Sequence, residues 1–346
     1  MSSLPPTGLL LANLGSPAAP TPRAIRRFLR AFLGDGRVLD MNPVGRAALL
    51  NLVILPFRPR RVAEQYRKVW LPEGSPLVVH GGALAAQVAA RLGDETPVAL
   101  GMRYGEPSLE SAVRSLYDRG VRRIRLLPLY PQFAASTTGA ILEEVYRIAG
   151  TLWDPPHIEA VLPYFDHPAF VAAWAAVARP VLEEARPDFV LFSYHGLPER
   201  QIRRSDPTGR CLTDGCCDGD DGCRRLCYRA QCVATTRALR PALGVEEAAS
   251  TTAFQSRFGR IPWIGPATDK EIVRLAEGGV RRLAVLSPAF TADCLETVEE
   301  IGIRGRDTFL AAGGEVFTLV PSLNAEPAWA EAVVGLAGMG GEGWGG

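Results

Sequence analysis

The sequence predicts an α/β fold made of two similar halves, each a parallel sheet flanked by helices, and three observations carry the prediction. The chain has 346 residues, about two domains' worth at roughly 150 residues per domain. A buried strand running into a Gly- and Pro-containing loop occurs twice: residues 8–13 before Leu14-Gly15-Ser16-Pro17, and residues 188–194 before His195-Gly196-Leu197-Pro198. A helical pattern, a glycine stop, a basic pair and a second buried strand also occur twice. The first copy is residues 109–120, Arg122-Arg123 and RLLPLYPQF; the second is residues 270–279, Arg281-Arg282 and AVLSPAF. Two echoes in the same order point to two related units.

Residues 8–13 (GLLLAN) form a continuous apolar run, the pattern of a strand buried on both faces. Residues 47–57 (AALLNLVILPF) are the longest apolar stretch, broken by Asn51 and Pro56. They fall short of the ~20 residues a spanning helix needs. Arg58, Arg60, Arg61 and Glu64-Gln65-Tyr66-Arg67 follow. This segment reads equally as a packed helix with a basic end and as an amphipathic patch that touches a membrane surface or receives an apolar, anionic substrate.

Residues 98–102 predict a strand, with Arg103-Tyr104 at its end. The loop at 127–139 (LPLYPQFAASTTG) sets Tyr130, Gln132, Ser136, Thr137 and Thr138 beside apolar surface; its glycine spacing fits neither the P-loop nor GxGxxG. Residues 150–168, rich in Pro and aromatics, mark a boundary. The expected organisation is an N-terminal domain at 1–160, a C-terminal domain at 161–325 with a cysteine-rich insertion at 208–231, and a helix with a frayed glycine-rich tail at 326–346. In parallel sheets ligands sit beyond the carboxyl ends of the strands. The loops starting at Asn13, Pro128, His195 and Pro288 are therefore expected to surround one cleft between the halves.

Composition excludes some classes. Lys+Arg number 38 and Asp+Glu 37, for a net charge of +1, which gives no footprint for sequence-independent nucleic-acid binding. The first residues, MSSLPPTG, carry no basic n-region. A cytoplasmic location is expected, where stable disulfides are disfavoured. Six of the seven cysteines fall between Cys211 and Cys232, so a metal is the better reading than a disulfide framework.

Among four histidines, His195 stands at a strand end before a glycine, placed to accept a proton or ligate a metal. Local sequence alone reads it equally as an ordinary loop histidine. In FTADCLETVEEI, a cap at Asp293 or a neighbour puts Glu296 in the first helical turn and Glu300 on the same face. Such a pair binds a cation or relays protons, or simply complements the helix dipole. Trp263, within GRIPWIGPATD, adds an apolar wall suited to a broad, flat ligand with a few acidic groups.

SYHGLP at 193–198, LYPQFxxSTTG at 129–139, W-x-G-P-x-T-D at 263–269 and PAFTADCLETVEEI from Pro288 together resemble the ferrochelatases, collinearly over residues 8–323. The resemblance implies two Rossmann-like, chelatase-type domains with the active cleft between them. It implies insertion of ferrous iron into protoporphyrin IX, the last step of protohaem synthesis, with no added organic cofactor. It matches the catalytic histidine to His195, the acidic metal-site residue to Glu296, and a further acidic position to Glu300. Porphyrin contacts fall on Arg58, Tyr66 and Ser75, with Leu14, Arg103, Tyr104 and Trp263 lining the pocket and residues 47–57 forming a hydrophobic lip. Where some relatives carry a second histidine, this chain has Cys294, and that ligand is not carried over.

The alternatives are coproporphyrin III as substrate, a cobalt- or nickel-inserting tetrapyrrole chelatase, and a non-catalytic haem or iron–sulfur sensor. The apolar lip favours protoporphyrin. Intact His195 and Glu296 argue against a sensor. Monomer and homodimer are both open, and the lip fits transient contact with the inner face of a membrane.

The insertion spaces its cysteines C-x4-C-C-x5-C-x3-C, from Cys211 through Cys216, Cys217 and Cys223 to Cys227. Four thiolates hold zinc or an iron–sulfur cluster, and spacing leaves the two level. The resemblance tips the reading to a [2Fe–2S] cluster on four of these five, since a subset of ferrochelatases carries one in an internal insertion. Cys232 is excluded first.

Overall fold

Each half of the chain builds a four-stranded parallel sheet, and the two sheets share one strand order. The structure, a computed structural model, describes residues 6–217, 226–257, 259 and 261–338. The first sheet contains β1 (Thr7–Asn13), β2 (Val98–Met102), β3 (Arg123–Pro128) and β4 (His157–Ala160), in the order β2-β1-β3-β4. The second contains β5 (Phe189–His195), β6 (Ser250–Gln255), β7 (Arg282–Leu286) and β8 (Val316–Leu319), in the order β6-β5-β7-β8.

Helices follow most strands, as parallel pairing requires a crossover. They are α1 (Pro22–Gly34), α2 (Pro43–Ala48), α3 (Leu55–Val69), α4 (Pro76–Leu92), α5 (Leu109–Asp118) and α6 (Ala140–Ala149) in the first half. In the second they are α7 (Pro168–Ala185), α8 (Glu199–Arg204), α9 (Tyr228–Leu243), α10 (Thr268–Glu277), α11 (Arg306–Ala311) and α12 (Pro327–Leu336). Three segments wind more widely, as π-helix: Leu49–Ile54, Ala135–Gly139 and Leu295–Gly305.

The echo seen in the sequence is exact in register. In the first sheet Gly8 stands opposite Ile124, and in the second Phe189 stands opposite Leu283. Ile124 and Leu283 close the two GVRR repeats, so six residues further on Leu14 and His195 occupy equivalent places. After β2 the Met102 N–H donates to the Pro107 carbonyl (2.7 Å); after β6 the Phe254 N–H donates to the Pro266 carbonyl (2.8 Å). After β3 and after β7 the chain enters a π-helix.

The chain forms two compact units. The first comprises residues 1–130, 134–162 and 329–346; the second comprises 131–133 and 163–328. Leu10, Leu116, Val121, Ile124, Leu126 and Val145 form the heart of the first core, where α5 and α6 cover the sheet. Trp329 of α12 is completely buried, and Arg125 on β3 donates to the Ala337 carbonyl just beyond that helix (2.9 Å). Leu191, Ile272, Leu283, Val285 and Phe309 form the second core.

The glycine-rich tail from residue 339 lies outside the described residues. Among the described residues, no helix is long and apolar enough to cross a membrane.

Candidate active site

In the second unit, the end of β5 delivers His195, and three contacts fix it. Its Nδ1 lies 2.7 Å from the Gly196 carbonyl. A carbonyl only accepts, so Nδ1 carries the proton and Nε2 is the ring's acceptor. The Tyr228 hydroxyl, on α9, donates to the His195 carbonyl (2.8 Å), and the Phe290 ring lies 6.2 Å from the imidazole, centre to centre. Gly196 cannot carry a side chain, because a Cβ there would stand 2.9 Å from the Gln255 carbonyl and 3.4 Å from the Trp263 ring. Trp263 bridges to Pro198, so it packs along the same loop.

The acidic pair sits on the π-helix Leu295–Gly305, not on an α-helix. Its cap is Cys294, reciprocated by Thr297. Asp293 instead accepts from the Thr297 hydroxyl (3.0 Å) and the Asn324 amide (2.8 Å), tying the turn down. Glu300 is gripped from one residue: Ser256 donates its backbone N–H to Oε1 (2.9 Å) and its hydroxyl to Oε2 (2.7 Å). Ser256 adopts φ +68°, a left-handed backbone uncommon outside glycine, and this allows both donors to face one carboxylate. Burial pushes the Glu300 carboxyl above its ordinary range; the Glu296 charge adds to the rise, while the Ser256 bond, His195 and Arg304 oppose it. Glu296 and His195 therefore both lie within electrostatic reach of Glu300. Burial also raises the Cys294 thiol, and the Glu296 charge adds to the rise.

In the first unit, Leu14 follows β1 and Arg103-Tyr104 follow β2. Both polar side chains are held by Asp35, which terminates α1. Arg103 pairs with Asp35 (2.9 Å), approaches Glu144 (3.9 Å) and donates its Nε–H to the Ala140 carbonyl (3.1 Å). The buried Tyr104 hydroxyl donates to the same Asp35 oxygen (2.7 Å); burial and then Asp35 drive its pKa upward. These three residues, with Glu143 and Ser108, line a cavity of about 450 Å³.

Arg58 is exposed near the start of α3, while Tyr66 is buried on that helix, edge-on to Trp70 at 5.9 Å. Ser75 is buried at the N-cap of α4. A larger cavity of about 670 Å³ opens at the other end of the second sheet, beside Asp188 and Phe189 at the start of β5. Neither histidine nor cysteine lines it.

The cysteines of the insertion are mostly buried. Cys211, Cys217 and Cys227 are buried, and Cys216 is partly so. Cys223 lies outside the described residues. The Cys216 and Cys217 sulfurs are 3.8 Å apart, and Arg229 reaches the Cys217 sulfur at 3.2 Å. Burial pushes the Cys217 thiol up to about 12, while Arg229 pulls it back. Arg229 favours the thiolate that a bound metal requires, against the larger opposing effect of burial. Among the described residues, no three His, Cys, Asp or Glu side chains gather closely enough to hold one. Cys232 is fully buried in α9.

Gln255, Ser256 and Asp35 escape a reading of the sequence. Each acts through contacts with residues remote along the chain, and only a position at the carboxyl end of a parallel strand hints at the first two.

A model of the ferrochelatase family matches residues 6–338. A ferrochelatase of Coxiella burnetii (strain Dugway 5J108-111) is 43% identical over 331 residues, 95% of this chain and 92% of that protein. One of Klebsiella pneumoniae (strain 342) is 46% identical over 331 residues, covering 95% and 97%. Among solved structures, SirB from Bacillus subtilis with Fe3+ superposes with a TM-score of 0.53 at 14% identity, covering 95% of this chain and 93% of that one. That likeness concerns the fold.

Proposed function

The chain belongs to the ferrochelatase family and is an enzyme that inserts ferrous iron into a porphyrin in haem synthesis; from that premise we propose that His195, Glu296 and Glu300 carry the proton and metal traffic of the reaction. The observation that carries the reading is the His195 tautomer. With Nδ1 committed to the Gly196 carbonyl, Nε2 offers its lone pair. Metallation must strip water from the ferrous ion and remove two pyrrole protons. Nε2 accepts one proton, and the Glu296–Glu300 pair accepts the other while giving the metal oxygen ligands in transit. The raised Glu300 carboxyl suits a group that takes a proton and gives it up again.

Leu14, Tyr66, Ser75, Arg103, Tyr104 and Trp263 are proposed as the porphyrin wall, and Arg58 as the partner of a propionate. Arg103 and Tyr104 act there as a rigid surface, because Asp35 already holds their polar ends. Protoporphyrin is the proposed substrate, supported by the exposed apolar residues of the lip.

The test is anaerobic turnover with ferrous iron and either protoporphyrin IX or coproporphyrin III. His195→Ala and Glu296→Gln are expected to lower kcat by about 10²–10⁴, with protoporphyrin the faster substrate. Turnover at the parental rate in both variants would overturn the assignment.

A membrane contact is also proposed. Val44, Leu52, Val53 and Phe57 are exposed by 54–80%. Residues 21–70 hold eleven Arg or Lys against three Asp or Glu, +8 in a chain whose total is +1. An apolar, cationic surface fits an anionic bilayer. Flotation with phosphatidylglycerol vesicles but not phosphatidylcholine ones, lost at high salt, is expected; equal recovery with both refutes it.

Four of Cys211, Cys216, Cys217, Cys223 and Cys227 are proposed to hold a [2Fe–2S] cluster, with structural zinc the rival; the buried thiols and Arg229 support a thiolate site. Iron and acid-labile sulfide in the purified protein, lost in Cys227→Ser, are expected. Zinc alone would overturn the cluster.

A further inference from the structure

The two units place the same anchor at the same register. Arg103 follows Met102 and Gln255 follows Phe254, and Met102 and Phe254 make equivalent bonds to Pro107 and Pro266. From these matched places each side chain donates to a main-chain carbonyl of the helical run after the third strand, at the first residue of α6 in one unit and within the π-helix in the other. Arg103 Nε reaches the Ala140 carbonyl at 3.1 Å, and Gln255 Nε2 reaches the Glu296 carbonyl at 3.0 Å. In the first unit Asp35 orients the anchor. In the second a buried chain does so. The Ser193 hydroxyl donates to Gln255 Oε1 (2.7 Å), and the Thr268 hydroxyl lies 2.8 Å from Ser193.

Both ends of Gln255 therefore engage the reacting groups' supports. Its main-chain carbonyl accepts the Gly196 N–H (2.8 Å), next to His195. Its amide holds the carbonyl of Glu296. Gln255, Ser193 and Thr268 are each no more than 3% exposed, so no water competes for these bonds.

We propose that Gln255 is the positioning residue that sets His195 and Glu296 in register with each other, through the buried Thr268–Ser193–Gln255 chain. Resting on the catalytic reading above, this predicts a defect specific to the metal. Loss of the amide frees the first turn of the π-helix and moves Glu296, while the groups proposed to bind porphyrin stay in place.

Gln255→Met keeps the length, removes both polar atoms of the side-chain amide and leaves the main-chain bond to Gly196 in place. In anaerobic calorimetry it is expected to weaken ferrous binding by about ten-fold, while porphyrin affinity, from fluorescence quenching, stays within about two-fold. Iron binding should be no weaker in Gln255→Met/Glu296→Gln than in Glu296→Gln, because residues acting as a unit are non-additive. Ser193→Ala, which leaves the amide unoriented, should show the same pattern more mildly, and serves alone if Gln255→Met does not fold. Equal losses of iron and porphyrin binding, an undiminished Gln255→Met effect in the Glu296→Gln background, or no effect in either variant would overturn the proposal. Parental iron binding and turnover in Glu296→Gln itself would instead overturn the catalytic reading.

Discussion

Glu300 shows how one side chain's surroundings set a measurable pH dependence. Its carboxyl titrates above its ordinary value because it is buried, so the folded protein holds that proton more tightly than the unfolded chain. That preference stabilises the fold at low pH and is lost as pH rises from the unfolded carboxyl pKa through the folded one. Glu300→Gln removes the burial cost of the charge and is expected to raise Tm at neutral pH. The gain should vanish below the ordinary carboxylate range, where Glu300 is protonated in both states. Thermal melts from about pH 3 to 8 check this, and a Tm difference that does not change with pH contradicts it. Gly15 is a second residue-scale case. At φ +102° a Cβ would stand 1.8 Å from the Tyr104 carbonyl oxygen, so Gly15→Ala should cost at least about 2 kcal/mol in urea unfolding.

At the scale of elements, a strand end and the segment that follows it work as a pair. The sequence shows the Pro-containing loops after β3 and β7, and it places Glu296 and Glu300 on one helical element. It does not show that this element is π-helical, since apolar periodicity over so few residues is too coarse to separate the two windings. Nor does it show that α1 contributes Asp35 to the end of β2. Asp35 is 68 residues from Arg103 along the chain, and its side chain is only 9% exposed, against 19% for Arg103. Removing one partner of such a pair strands the other, so Asp35→Ala should destabilise the first unit by about 3 kcal/mol. Urea melts followed by Trp70 fluorescence would read it; a loss under about 0.5 kcal/mol would mean the pair is already well hydrated.

At the scale of the molecule, the last helix returns to the first unit although it follows the second in sequence. Trp329, Ala330 and Val333 of α12 are fully buried. A chain ending at residue 326 should therefore lose amide protection across β1 to β4 while β5 to β8 keep theirs, as hydrogen exchange would detect; uniform loss would contradict it. The duplicated α/β plan, five of its strands (β1, β2, β3, β5 and β7), and His195 and Glu296 as candidates were legible in the sequence, because buried parallel strands and glycine stops write themselves locally; β4, β6 and β8, short or polar, were not. The metal of the cysteine-rich insertion and its ligands stayed open, because spacing alone does not fix which sulfurs converge. Only the tertiary structure decided that Gln255 supports both His195 and Glu296, that Ser256 holds Glu300, that Asp35 immobilises Arg103 and Tyr104, and that α12 completes the first core. Each of these depends on which buried polar groups meet across strands distant in the chain, and hydrophobic periodicity carries no record of such partners.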